Sequence, residues 1–96
     1  MSVVIVGGNE RMENQYKELC KRYNCDAKVF TKDRMGLYDF IGIPDFIVLF
    51  TNPVSHRMAK AARSKAAKHN IALFQSHCGS SNALRNILET GIAAKC

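Results

Sequence analysis

The sequence predicts an α/β fold: a small open parallel sheet of four strands in the order 2-1-3-4, with helices on both faces, flavodoxin-like or half-Rossmann in type. Three observations carry that expectation. SVVIV (Ser2–Val6) and FIVLF (Phe46–Phe50) are unbroken apolar runs, short for helices and suited to strands buried on both faces. Each is followed by apolar residues at helical spacing. Strands that alternate with helices connect by right-handed crossovers and therefore lie parallel. A chain of 96 residues fits one domain, residues 1–96, with a single modest core.

Each element has its own local signals. Gly7-Gly8 ends the first strand and Asn9 can cap the first helix. From Glu10 to Tyr23, Met12, Tyr16, Leu19, Cys20 and Tyr23 trace an apolar helix face, with acidic residues early and Lys21 and Arg22 late, as the helix dipole favours. AKVFT (Ala27–Thr31) reads as the second strand. Lys32 to Ile43 holds a short helix interrupted by Gly36 and Gly42. After the third strand, Thr51-Asn52-Pro53 supplies a cap and a proline at the first helical position, which predicts a helix over Val54–His69 closed by Asn70. IALFQ (Ile71–Gln75) is the fourth strand, Ser76–Ser81 a turn, and Asn82–Thr90 a last helix with Gly91 as its stop.

Composition narrows the function classes. Hydrophobic content of 47% with 23% charged residues excludes disordered, collagen-like and coiled-coil chains. No apolar run reaches the ~20 residues of a membrane span, and no basic leader precedes the first strand, so the expected compartment is the cytoplasm. There Cys20, Cys25, Cys78 and Cys96, with no CxxC pair among them, are expected as thiols or ligands and not as a disulfide framework. Net charge is +6, and from Phe46 to Leu88 six cations stand without one carboxylate. That half favours an anionic partner or simply solvates a helix face.

Parallel strands end on one side, so Gly7-Gly8-Asn9, Thr51–His56 and Gln75–Ser81 should share a rim. Helix N-termini there offer unpaired amides to a phosphate or carboxylate, with Gly7, Gly8, Asn52, Ser55, Ser76, Gly79, Ser80 and Ser81 close by and Arg57 adding charge. Equally, Ser80 and Ser81 cap their own helix. Gly7-Gly8 is only a fragment of GxGxxG, and no GxxxxGK[ST] occurs. Cys78 beside His77, just ahead of a helix, suits a reactive thiolate, the basis of a thiol-enzyme reading, or a small cysteine filling a turn. Cys78 to Arg85 has one residue too many for a CxxxxxR phosphate loop. His56, His77 and Cys78 are candidate ligands for haem iron or another metal. Haem would also offer propionates to the basic half and an apolar face to Phe50, Met58 or Tyr38. Each histidine has an ordinary alternative as a cap, and His69 reads only as one. The basic helix from Arg57 to Lys68 leaves non-specific nucleic-acid binding as the reading from another class.

IVGG near the start, VLFTNPVSH in the middle and FQSHCGSSNAL near the end resemble the bacterial domain-of-unknown-function family 2325 from Val3 to about Leu88. The resemblance implies a bacterial cytosolic protein, agrees with haem binding at the rim residues, and implies no ordinary catalysis. The expectation is a ligand-binding module taking an anionic small molecule or haem. Two free sheet edges on so small a domain add the expectation of a homodimer.

Overall fold

The run Ser2–Gly7 forms the first strand, β1, because its β-branched residues suit an extended, doubly covered position; Val3 to Val6 are all buried. The computed structural model describes residues 1–52 and 54–95, so Pro53 and Cys96 lie outside them. β2 (Asp26–Phe30), β3 (Phe46–Phe50) and β4 (Ala72–Ser76) complete one parallel sheet in the order β2-β1-β3-β4, the order the alternation predicts. Val3, Phe46 and Ala72 lie level at one end of the sheet, and Gly7, Phe50 and Ser76 at the other.

Side-chain alternation divides the central strands between two cores. On one face Val3, Ile5, Phe46, Val48 and Phe50 meet Tyr16 and Leu19 of α1 (Glu13–Arg22) and Leu84 and Leu88 of α4 (Ser81–Lys95). On the other, Val4, Val6, Ile47 and Leu49 meet α2 (Leu37–Ile41) and the small residues Ala59, Ala62 and Ala66 of α3 (His56–His69). Burying each of the larger side chains contributes roughly 1.5–3 kcal/mol. No described helix is long and apolar enough to cross a membrane.

Helix ends depart from expectation in two places. α3 starts at His56 and not at Val54, since the cap is Ser55, whose Oγ accepts a hydrogen bond from the Met58 amide at 3.1 Å. The proline expected at its first position lies outside the described residues. Gly91 does not stop α4 but sits inside it. A Cβ there would stand 3.0–3.1 Å from three carbons of the Phe46 ring, so glycine lets the helix backbone rest directly on that ring. The close approach offsets the ~1 kcal/mol that glycine costs a helix interior. Other boundaries agree closely: the Asn9 side chain accepts from the Arg11 amide to open a 3₁₀ turn leading into α1, and Asn70, at φ 54°, closes α3.

Two polar groups are buried on the α3 face. Lys65 is only 7% exposed, its Nζ 4.3 Å from the centre of the Tyr38 ring, a cation–π contact. The Tyr38 hydroxyl is buried and has no hydrogen-bond partner among the described residues.

Candidate ligand site at the strand-end rim

Because Gly7, Phe50 and Ser76 are in register, the loops that leave them emerge side by side, as the sequence predicts. From β1 the chain crosses to β2 on one side and later enters β3 on the other. That reversal opens a crevice between the first and third loops, the usual ligand position in open α/β sheets.

One residue governs the crevice floor, and sequence reasoning saw it only as an apolar helix position. Tyr16 is fully buried, its ring 5.3 Å from that of Phe50. Its hydroxyl donates to the Gly79 carbonyl and accepts from the Asn9 amide at 3.4 Å, joining the loops after β4 and β1. Gly8, at φ +86°, and Gly79 leave room for it: a Cβ at either would lie 2.7 or 2.9 Å from the Tyr16 oxygen. The available signal was a tyrosine where a leucine would pack equally well, since a buried hydroxyl needs a partner. Burial holds its hydroxyl above the ordinary pKa of 10.0; the Asn9 hydrogen bond opposes that rise and nearby Cys78 adds to it.

Several predicted ligand donors have structural partners. Ser80 Oγ accepts from the Ala83 amide at 3.1 Å, so it caps α4 as Ser55 caps α3. Ser76 Oγ donates to the Cys78 carbonyl at 3.0 Å, shaping the turn. Gly7 and Gly8 are buried beneath the rim. Arg57 is exposed and stands 3.8 Å from the Asp33 carboxylate. Above this framework lies a hollow of about 380 Å³, bordered by Asn9 and Met12 on one side, Asn52 on another, and Cys78 to Ser81 on the third. None of these lining residues is a carboxylate. Ser81, 3.5 Å from Gln15 Oε1, also borders a second hollow of about 220 Å³ between α1 and α4 that includes Arg22 and Arg85.

His56, the first residue of α3, and His77, in the loop after β4, are both exposed, and neither borders the rim hollow. Cys78 is exposed and does border it, whereas Cys20 and Cys25 are buried thiols. Among the described residues no group of three or more histidines, cysteines or carboxylates could hold a metal ion. The apolar face expected for haem is not on the surface: Phe50 and Met58 are core residues at 0% and 2% exposure, and Tyr38 packs under Lys65. Of the six cations from Phe46 to Leu88, Lys65 is withdrawn into α3, and Arg63 donates to Gln75 Oε1 at 3.0 Å.

The chain is similar in structure to a de novo designed Rossmann-fold protein, with a TM-score of 0.62 and 15% identity over 92% of this chain and 93% of that one. It is also similar to the lactose-specific IIB component domain of the phosphoenolpyruvate:carbohydrate phosphotransferase system from Streptococcus pneumoniae, with a TM-score of 0.55 and 13% identity over 99% and 93% of the two chains. These likenesses show a Rossmann-like α/β fold. No curated protein matches the sequence. The residues of the rim, Gly7 to Asn9, Asn52 to His56 and Gln75 to Ser81, all fall within the span 2–90 that matches the family described as an uncharacterized protein conserved in bacteria, DUF2325, and the chain belongs to that family.

Proposed function

We propose that the protein is a small binding module that takes an anionic ligand in the crevice between the loops after β1, β3 and β4. One observation carries this reading: a hollow at the topological switch point whose largely apolar wall, Met12 included, is broken by the side chains of Asn9, Asn52, Cys78, Ser80 and Ser81 and holds no carboxylate. Donors open to a ligand include the Asn52 side chain and the amide of Ser81, which stands in the first turn of α4 and has no acceptor within the helix. Volume limits the fit. At about 380 Å³ the hollow is near the small end of the roughly 300–1,000 Å³ typical of ligand pockets, so it suits the carboxylate or phosphate end of a molecule.

Haem is the cofactor to test first for its carboxylates, although the apolar side chains expected against its ring lie in the core, and a cytoplasmic setting suits the free thiols Cys20, Cys25 and Cys78. Its carboxylates would match the electropositive half of the chain, and His56, His77 or Cys78, all exposed on the same rim, would supply a ligand to its iron. Titration with hemin should give a saturable Soret shift that one of His56→Ala, His77→Ala or Cys78→Ala abolishes. A Soret response unchanged in all three variants removes the ligand assignment. Asn52→Ala should weaken binding of hemin and of inorganic phosphate alike. Phosphate binding indifferent to that change removes the crevice.

A further inference from the structure

We infer that β4 is a self-pairing edge, through which two copies of the chain join antiparallel about Phe74 into a continuous eight-stranded sheet. The two edges of the sheet are built differently. β2, at one end, carries Asp26 and Lys28, charges of the kind that guard an edge against further pairing. β4, at the other end, reads Ala72-Leu73-Phe74-Gln75-Ser76 without a charge, and its Leu73 and Phe74 are only half-buried. They lie on opposite faces, Leu73 against the α3 core and Phe74 edge-on to Phe46 at 5.5 Å, so the edge is apolar on both sides.

Backbone polarity fixes the register. The Ser76 carbonyl is turned inward, accepting from the Thr51 amide at 2.8 Å. Alternation along a strand then turns Ala72 and Phe74 inward as well, and leaves the N–H and C=O of Leu73 and Gln75 facing outward. Two outward residues flanking one inward residue are what a two-fold axis requires. With Phe74 opposite the partner's Phe74 as a non-hydrogen-bonded pair, Leu73 and the partner's Gln75 exchange both of their hydrogen bonds, and the symmetric pair repeats the exchange. The aromatic pair sits on the axis, and no like charges in the strands oppose each other. The pairing carries the two rims to opposite ends of the assembly, so each crevice stays complete within one chain and independent of this contact. The axis also brings the two α3 helices, with their cations, toward each other.

The test is the association state by sedimentation equilibrium, on the order of 0.5 M salt so that the α3 charges are screened. The expected result is a reversible dimer that Gln75→Pro weakens at least tenfold, because proline removes an outward N–H and leaves every bond to β3 in place. A second variant fixes the register without relying on proline. In a Cys78→Ser, Cys96→Ser background, Phe74→Cys should oxidise readily to a cross-linked dimer, since non-hydrogen-bonded partners have Cα atoms ~4.5 Å apart, within disulfide reach. Gln75→Cys should cross-link poorly. A chain that stays monomeric at the highest attainable concentration overturns the inference, as does a dimer that cross-links equally well from both positions.

Discussion

Two tyrosines, one under each face of the sheet, meet burial in opposite ways. Tyr16, on the α1/α4 face, has both a donor and an acceptor partner and ties two loops of the rim together. Tyr38, on the α2/α3 face, has its hydroxyl buried with neither, and its ring serves as a platform for the Lys65 ammonium. The difference teaches where polar chemistry organises this molecule. The α1/α4 face sets the geometry of the crevice through specific hydrogen bonds, while the α2/α3 face holds the sheet by close packing of small side chains.

The most severe way to break that contrast is Gly8→Ala. The new Cβ would meet the Tyr16 oxygen at 2.7 Å, on a backbone already at φ +86°. Strain and overpacking together should cost about 3 kcal/mol or more, read as a lowered urea midpoint. Tyr16→Phe should come next, at roughly 1–3 kcal/mol, because it leaves the Gly79 carbonyl and Asn9 amide without their partner. Hydrogen exchange should rise in the loops after β1 and β4 and leave Thr51 to Ser55 unchanged. If exchange rises equally in all three loops, Tyr16 is not the organising group.

Titration separates the faces as well. Burial pushes the Cys20 thiol from 9.0 up to about 12, with neighbouring Cys25 adding to the rise, and Tyr16 is raised on the same face. A raised pKa in the folded state means that these groups favour folding while protonated. The Cys20 contribution is whole below about pH 9 and is lost as pH climbs toward 12. Stability should therefore fall through that window, and Cys20→Ala should flatten the slope. The mildest test is Tyr38→Phe, which removes an unpaired buried hydroxyl and should stabilise by about 1 kcal/mol or less. Together with Tyr16→Phe it gives one chemical change with opposite signs on the two faces, checked by paired melting curves.

The sheet and the shared rim were legible because apolar runs of strand length, separated by helical spacing, admit few other topologies. Side-chain partnerships were less so, for reasons that differ residue by residue. Tyr16 bonds a carbonyl 63 positions away, and no local pattern reports a partner at that distance. Asn52 and Ser55 are both good caps, and the choice between them is made by tertiary structure. Gly91 reads locally as a helix end, since the ring that makes glycine useful there comes from β3. Lys65 reads as one more solvated cation until the Tyr38 ring gives its ammonium a face to rest on.

The glycine inside α4 has a mechanical consequence for the crevice. Phe46 acts as a fulcrum beneath Gly91, about 15 Å along the helix axis from Ser81. Any side chain inserted at that contact would lift the shaft and tilt its far end, shifting Ser80 and Ser81 relative to Asn52. If the crevice takes the anion proposed for it, Gly91→Ala should thus alter the affinity for inorganic phosphate without touching any of its lining residues, a form of tuning reached from the opposite end of the molecule.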